Sequence, residues 1–247
     1  LLYNNRNIMR KATSDLIIAF KLFVRRLEQD QRQKVRLVMH TNPIDENGTN
    51  LPEVIDTLAP EVAHLIKFTN AQFSRVEMSV LYTSCDVGVN ISSSEGWGLS
   101  CTEAIMAGKM VISNVTGGLQ DQMRFTDEVG KWIEFTPEFA SNHTGTYLNH
   151  GDWVIPVFPA TINLQGSLAT PYIFDDRCHI EDVAIAMRQA FSLEPDKRAA
   201  LGLKGREWMV GDEAKMTADH MSKSFGDAIN TLLQNWVAIE RFKVYSV

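Results

Sequence analysis

The clearest fold signal in this chain is the stretch NISSSEGWGLSCTEAIMAGKMVISNVTGG, residues 90–118. It places a glycine-containing turn, EGWG at 95–98, between a buried strand predicted over 86–92 and a helix predicted over about 100–107. A further buried strand, MVISN at 110–114, follows the helix. Strand, turn, helix and strand in this order indicate two parallel strands joined by a crossover helix.

The same alternation extends to both sides of this stretch. Upstream, the apolar patterns predict strands at 1–3, 35–40 and 64–69 and helices at about 11–27, 51–59 and 75–84. Downstream, they predict helices at 180–191 and 197–209. Strands that alternate with helices in short units are typical of an α/β fold, here a Rossmann-like parallel sheet with helices on both faces.

The alternation breaks down between about 134 and 176, where prolines, glycines and asparagines separate short apolar pieces. We interpret this region as an irregular insertion with one or two strands, such as WVIPVF at 153–158. The insertion is a lid over the site, a loop that contacts a partner, or a surface loop without a function. An amphipathic pattern over about 214–242 predicts a helical tail. These boundaries predict one domain over 1–215 and a tail over 216–247 that packs on it.

The composition excludes several classes of protein. The chain has 247 residues, 45% hydrophobic and 22% charged, so it is long enough to bury a core and is neither disordered nor fibrous. No apolar run reaches the roughly 18 residues that span a bilayer. A net charge of −6 argues against nucleic acid as a partner. Three cysteines without a close pair fit a reducing compartment, and the opening apolar run, LLYNN, suggests a chain cut from a longer one.

The turn at 95–98 has the features of an anion-binding site. Gly96 and Gly98 let the backbone approach a ligand closely. The amides of Gly98, Leu99 and Ser100 are expected to be free at the start of the helix, where the helix dipole also favours negative charge. In open parallel sheets, ligands bind beyond the carboxyl ends of the strands, which is where this turn lies. A phosphate group is the expected occupant.

Two carboxylates lie at or near the turn: Glu95 is its first residue, and Glu103 follows eight residues later in the helix. A carboxylate beside an anion site is unfavourable unless it has another task, and an ionised carboxylate accepts hydrogen bonds from hydroxyl groups such as those of a sugar. The alternative is that Glu103 is a favourable acid in the first helical turn and Glu95 a solvated loop residue. Trp97 either lines the same pocket or is buried under the helix.

This stretch resembles the signature of the family-4 retaining glycosyltransferases, whose GT-B fold consists of two facing Rossmann-like domains. The family pattern is a Glu, a Gly-aromatic-Gly turn, a second Glu eight residues on, a small-residue helix, Gly, a buried strand and a Gly-Gly turn. Its elements stand here as Glu95, Gly96-Trp97-Gly98, Glu103, residues 104–108, residues 111–112 and Gly117-Gly118.

A second match lies near the start, in NNRNIMRKA at 4–12. After the first strand of its C-terminal domain the family has an Arg and, about five residues on, a Lys that grip the donor diphosphate. Here these are Arg6 and Lys11, with Arg10 nearby, and Asn5 stands where the family usually has Gly. Without the family, the three cations are equally compatible with a solvated helix start. Cations at a helix N-terminus are unfavourable, however, unless an anion is near.

The resemblance covers residues 1 to about 215 and implies the C-terminal, nucleotide-sugar-binding half of a GT-B enzyme. It implies transfer of a hexose from a UDP- or GDP-linked donor to a hydroxyl acceptor, with retention. The implied catalytic residues are Arg6, Lys11 and Glu95, the last on the hydroxyls of the donor sugar. The implied donor-binding residues are Gly96, Trp97, Gly98, Leu99 and Ser100, Glu103 on the ribose, and Phe68 and Thr69 near the base.

The implied partners are the nucleotide-sugar donor, a glycan, lipid or protein acceptor, and an N-terminal GT-B domain. The implied location is cytoplasmic, with peripheral membrane association left open. No Asp-x-Asp motif or His/Cys cluster occurs in the sequence, so we expect neither a metal nor another cofactor. Two rival functions remain: a non-catalytic nucleotide-sugar-binding module or half of a split enzyme, and an epimerase on the same fold. A dinucleotide oxidoreductase is disfavoured because no Gly-x-Gly-x-x-Gly follows the first strand.

Overall fold

The computed structural model of the chain describes residues 1–136, 141–166, 168–170 and 172–238. The chain divides into two compact units, Leu1–Arg206 and Glu207–Val247. Parts of the predicted insertion (137–140, 167 and 171) and of the predicted tail (239–247) lie outside the described residues. The packing of the tail on the domain remains a prediction. In the part of the chain that is described, no helix is long and apolar enough to cross a membrane.

A six-stranded parallel sheet forms the centre of the first unit. Its strands are β1 (Leu2–Asn4), β2 (Leu37–His40), β3 (Ile66–Thr69), β4 (Val87–Asn90), β5 (Met110–Asn114) and β6 (Val154–Val157). They are ordered β3-β2-β1-β4-β5-β6, and every neighbouring pair is parallel. The chain therefore runs from β1 to one edge of the sheet, returns to β4 beside β1, and continues to the other edge.

Helices connect these strands and follow them. Among the described residues they are α1 (Thr13–Arg25), α2 (Gln29–Arg32), α3 (Leu51–Leu58), α4 (Arg75–Thr83), α5 (Leu99–Met106), α6 (Ile180–Ser192), α7 (Pro195–Val210) and α8 (Ala218–Asn235). Short 3₁₀ segments lie at Met9–Lys11, Pro60–Leu65 and Gly117–Gln122. Five large apolar residues of α1 recur at helical spacing and are buried: Leu16, Ile17, Phe20, Phe23 and Val24.

The helices cover both faces of the sheet. α1 and α6 pack together on one face, where Val89 of β4 belongs to the same core. Gly88, the preceding residue, points to the opposite face because successive Cβ positions alternate along a strand. A Cβ added to Gly88 would lie 2.8 Å from the Cβ of Ala104 in α5, so α5 covers the second face. The predicted Rossmann-like parallel sheet with helices on both faces is confirmed.

The predicted insertion contains more regular structure than its sequence pattern indicates. Three strands lie in or across it where the pattern predicts one or two: β6, β7 (Pro159–Gln165) and β8 (Ile173–Cys178). β6 contains most of the predicted WVIPVF strand and is an edge strand of the main sheet, a position that tolerates Pro156. β7 and β8 form an antiparallel ribbon. Because β7 is exposed along most of its length, it lacks the alternation that marks a half-buried strand.

A buried histidine, His143, lies in an aromatic cluster before β6. It is 5% exposed, and the ring centroids of Phe125, Phe135 and Phe158 lie 4.3, 5.7 and 5.6 Å from its own. Burial lowers the pKa of His143 from 6.5 to about 4. The unfolded chain therefore binds more protons than the folded chain between these pH values. The resulting stabilisation is complete above pH 6.5 and is lost as the pH falls towards 4.

Replacing this histidine, His143→Phe, is expected to remove the pH dependence. Between about pH 7 and pH 4.5, the free energy of unfolding of the wild type should fall by about 2 to 3 kcal/mol more than that of the variant. Urea denaturation at both pH values measures this difference. Burial raises the pKa of Asp121 to about 6, but this residue titrates in both proteins and cancels in the comparison. Parallel pH profiles of the two proteins would contradict the assignment.

Candidate functional site

The order of the strands creates a topological switch point between β1 and β4. From β1 the chain passes to β2 on one side, and from β4 it passes to β5 on the other. The segments that follow these two strands therefore separate at the carboxyl end of the sheet and leave a crevice, which is where open α/β sheets bind ligands. Residues 5–12 follow β1 and residues 91–98 follow β4, so both sequence motifs lie at this crevice.

Lys11 and Glu95 meet in the crevice. The Nζ of Lys11 donates to Oε2 of Glu95, and the two side chains are only 9% and 10% exposed. Arg10 donates through Nη1 to the same oxygen at 3.0 Å and to the carbonyl of Ser94 at 2.8 Å. Burial alone would raise the pKa of Glu95, but Lys11 and Arg10 outweigh it and hold that pKa below its usual range. Burial lowers the pKa of Lys11, and Glu95 offsets part of this effect.

The N-terminus of α5 adjoins the same crevice. Gly98 precedes the helix with a φ of 85°, a left-handed conformation that glycine adopts without strain. Because Gly98 has no side chain, it cannot cap the helix, and the first-turn amides of Leu99 and Ser100 have no intrahelical acceptor. The Oγ of Ser100 lies 3.4 Å from Oδ1 of Asn5 in the segment after β1. The helix therefore presents free donors and the positive end of its dipole beside that segment.

The Gly-Gly pair, Gly117 and Gly118, packs directly against the backbone of the EGWG turn. The N–H of Gly118 donates to the carbonyl of Glu95 at 3.0 Å. A Cβ on Gly118 would lie 2.2 Å from the carbonyl oxygen of Gly96, and one on Gly117 would lie 2.1 Å from that of Glu95. By contrast, a Cβ on Gly96 would have no heavy atom within 4 Å. The Gly-Gly pair thus determines where the EGWG turn sits.

Trp97 is half-buried and lies against α5. Its Nε1 donates to Oγ1 of Thr102 at 2.9 Å, and its carbonyl oxygen accepts from Nε2 of Gln122 at 2.5 Å. These contacts favour the interpretation in which Trp97 is buried against the helix. Its predicted role in donor binding remains a prediction.

Glu103 is exposed on α5 and is held by side chains from two other elements. Its Oε2 accepts a hydrogen bond of 2.6 Å from the phenol of Tyr82 at the end of α4. A longer contact of 3.4 Å comes from Nδ2 of Asn4, the last residue of β1. These contacts place the carboxylate of Glu103 beside the end of β1. The alternative interpretation, a favourable acid in the first turn of the helix, does not account for them.

Arg6 does not join the Lys11–Glu95 pair within the described residues. It is 60% exposed and forms a fork with Asp45 in the loop after β2, with Nε–Oδ2 and Nη2–Oδ1 distances of 2.8 and 3.1 Å. Phe68 and Thr69 lie farther away, at the carboxyl end of the edge strand β3, two strands from β1. The structure therefore gathers Lys11, Glu95 and the start of α5, whereas the side chain of Arg6, from the same segment as Lys11, pairs with Asp45 on the neighbouring loop.

Comparison with known families agrees with this geometry. Residues 1–138 match the family model of glycosyl transferases group 1. The chain belongs to this family. The matched segment contains both motifs, at 4–12 and at 90–118, and the resemblance to GT-B glycosyltransferases is confirmed. A search of characterised proteins by sequence found no match.

Solved structures show the same fold. Sucrose-phosphate synthase from Thermosynechococcus elongatus matches with a TM-score of 0.60 at 18% identity, over 94% of this chain and 45% of that one. An E. coli structure described as trehalose-6-phosphate bound with UDP-2-fluoro glucose matches with a TM-score of 0.56 at 11% identity, over 96% and 44%. The C-terminal domain of a glycosyl transferase group 1 family protein from Francisella tularensis gives 0.51 at 16% identity, over 85% and 83%. This chain thus spans less than half the length of the first two.

Two partners of the motif residues in this group 1 chain were not identified from the sequence. Tyr82 holds Glu103, and Asp45 holds Arg6. Tyr82 is 21 residues from Glu103 in the sequence, and Asp45 is 39 residues from Arg6. No motif or local pattern marks either Tyr82 or Asp45. Only the order of the strands brings them to the crevice.

Proposed function

We propose that this domain binds a nucleotide-diphosphate sugar and that its protein transfers a hexose from that donor to a hydroxyl group, with retention at the anomeric carbon. One observation carries the proposal: the nearly buried Lys11–Glu95 pair lies in the same crevice as the uncapped start of α5. A cation and free amides suit a diphosphate, whereas a carboxylate beside them suits sugar hydroxyls. The donor is a UDP- or GDP-linked hexose.

The diphosphate is the leaving group in this reaction. As its bond to the anomeric carbon breaks, negative charge grows on the phosphate oxygen, and the acceptor oxygen bonds to the same face of the sugar. The departing phosphate oxygen takes up the proton of the acceptor hydroxyl. Lys11 and the amides of Gly98, Leu99 and Ser100 stabilise the growing charge. Loss of one such donor typically raises a barrier by about 2.7 to 4 kcal/mol.

Arg6 is assigned to the same diphosphate. Asp45 occupies its Nε and Nη2, which leaves Nη1 without a protein acceptor among the residues described. A guanidinium carries five N–H groups in a rigid plane. Arg6 therefore binds a phosphate oxygen through its free edge while Asp45 holds the opposite edge.

The carboxylates are assigned to the two sugars of the donor. Glu95 accepts hydrogen bonds from hydroxyls of the hexose, because the neighbouring cations keep its pKa low and the group ionised at neutral pH. Glu103 accepts from the ribose hydroxyls. Phe68 and Thr69 lie near the base, and Gly96 and Trp97 complete the donor-binding turn.

The remaining components follow from the same proposal. The acceptor is a hydroxyl of a glycan, a lipid or a protein, and an N-terminal GT-B domain binds it. The reaction proceeds in the cytoplasm without a metal ion. A second candidate function is a non-catalytic nucleotide-sugar-binding module or half of a split enzyme. Its support is that the crevice residues described above are all assigned to the donor and none of them to an acceptor.

Calorimetric titration with UDP-, GDP- and ADP-hexoses, each with and without EDTA, tests the proposal. We expect one class of donor to bind saturably and EDTA to have no effect. Glu103→Ala is expected to weaken binding by about tenfold or more, because it removes charge-assisted hydrogen bonds of about 1.5 to 3 kcal/mol. Glu128→Ala, at an exposed glutamate elsewhere in the domain, is the matched control and should bind as the wild type does.

The outcomes separate the candidates. If a correctly folded chain binds none of these donors, the donor-site proposal is wrong. If a donor binds, product analysis with simple hydroxyl acceptors distinguishes a transferase from a binding module, and a change in the donor sugar without an acceptor would indicate an epimerase. Binding that requires a divalent cation would contradict metal independence.

A further inference from the structure

Helix α4 has a single buried side chain among its nine residues, and it is Tyr82. The ring is 4% exposed, whereas Val76 and Val80 on the same helix are 73% and 58% exposed. A helix that exposes its valines and buries a tyrosine is not organised around apolar packing alone. A buried tyrosine usually has a hydrogen-bond partner for its phenol group, and the partners of Tyr82 indicate why it is buried.

The phenol group connects the end of β1 to the carboxylate of α5. It accepts a hydrogen bond of 2.7 Å from Nδ2 of Asn4 and donates one of 2.6 Å to Oε2 of Glu103. An O–H donor to an ionised carboxylate at this distance is a strong, charge-assisted hydrogen bond. Burial and the adjacent Glu103 raise the pKa of Tyr82 far above its usual range, so the phenol keeps the proton that it donates.

This arrangement uses only one oxygen of Glu103. Its Oε2 receives both Tyr82 and Asn4, and Oε1 has no protein donor among the residues described. Glu103 itself is exposed at the crevice. A glutamate on a helix surface otherwise samples several rotamers, and fixing one of them costs up to about 2 kcal/mol of side-chain entropy. The bond from Tyr82 fixes that rotamer before a ligand arrives.

We propose that Tyr82 is a positioning residue that orients Glu103 towards the ribose hydroxyls of the donor and so sets the preference for ribose over deoxyribose. This inference rests on the donor-binding function proposed above. Tyr82 acts through Glu103 and does not touch the ligand. Its removal should therefore weaken only those ligands that have the hydroxyl groups which Glu103 recognises.

Calorimetry with UDP against dUDP, and with GDP against dGDP, tests this inference. In the wild type, the ribonucleotide of the preferred base should bind about tenfold more tightly than its 2′-deoxy counterpart, the ratio expected for one lost hydrogen bond to a charged group. Tyr82→Phe should weaken the ribonucleotide about five- to tenfold and leave the deoxynucleotide unchanged, so the ratio approaches one. In the background of Glu103→Ala, which removes the acceptor of the phenol, Tyr82→Phe should cause no further loss.

The matched control is Tyr3→Phe, at a buried tyrosine of the same sheet whose phenol contacts Thr13 and not Glu103. It should leave the ratio at its wild-type value. An unchanged ratio in Tyr82→Phe, or equal weakening of both nucleotides, would overturn the positioning role. If Tyr82→Phe does not fold, Asn4→Ala removes both the hydrogen bond to the phenol oxygen and the longer contact with Glu103. It should lower the same ratio, and an unchanged ratio there overturns the inference.

Failure of the underlying function gives a different result. A wild-type chain that binds neither nucleotide of either pair contradicts the donor site itself. A wild-type chain that binds both members of a pair equally keeps the donor site but contradicts the assignment of Glu103 to ribose, and the role of Tyr82 with it.

Discussion

Lys11→Ala is expected to weaken binding of the nucleotide-sugar donor by about 100-fold. The substitution removes the cation assigned to the diphosphate. It also leaves the carboxylate of Glu95, which is only 10% exposed, with Arg10 as its remaining cationic partner. Loss of a charge-assisted hydrogen bond to the diphosphate typically costs about 1.5 to 3 kcal/mol, and 2.7 kcal/mol corresponds to about 100-fold.

A second variant separates the two causes of this loss. If Lys11 binds the diphosphate directly, the double variant Lys11→Ala with Glu95→Gln remains weak. If Lys11 serves only to neutralise Glu95, the double variant recovers most of the affinity. Lys34→Ala, at an exposed lysine paired with Asp30, is the control and should bind normally. A donor affinity within threefold of the wild type in Lys11→Ala would be incompatible with the proposed site.

Gly118→Ala is expected to lower the free energy of unfolding by about 2 to 4 kcal/mol, at or above the usual range for overpacking. The added Cβ would lie 2.2 Å from the carbonyl oxygen of Gly96 and 2.8 Å from Cα of Trp97. Both neighbours are backbone atoms, so relief requires the whole EGWG turn to move. Displacement of that turn also moves the start of α5, and we expect donor affinity to fall together with stability.

Gly96→Ala is the matched control for stability in this experiment. A Cβ at Gly96 has no heavy atom within 4 Å, and we expect its free energy of unfolding to stay within about 1 kcal/mol of the wild type. Chemical denaturation of both variants makes the comparison. Equal stabilities of the two alanine variants would show that the backbone of Gly118 does not pack closely against the turn in solution.

Helices and strands with a local signal were predicted well from the sequence. The strand at 110–114 has its predicted bounds, and the helix predicted over 75–84 is present as Arg75–Thr83. In both cases neighbouring residues carry the information: a short apolar run in the first, and a capping box of Ser74 with Glu77 in the second. The ribbon of β7 and β8 has no such signal, because an exposed strand buries neither face and shows no alternation.

The same distinction applies to the candidate site. The motifs identified Lys11, Glu95 and Glu103, and the family match over 1–138 agrees with the family to which those motifs pointed. They did not indicate that Lys11 and Glu95 form a hydrogen bond with each other, because these residues are 84 positions apart in the sequence. Nor did they indicate that the side chain of Arg6 pairs with Asp45.

The sequence by itself determined the α/β class, the glycine turn before α5 and the residue types of the candidate anion site, because each depends on a few consecutive residues and their local conformational preferences. Only the tertiary structure decided which side chains meet. The strand order places β1 beside β4, and that single adjacency brings Lys11 to Glu95 and Asn4, with Tyr82, to Glu103. Contacts of this kind depend on which strands pair across the sheet, and no local pattern in the chain encodes that pairing.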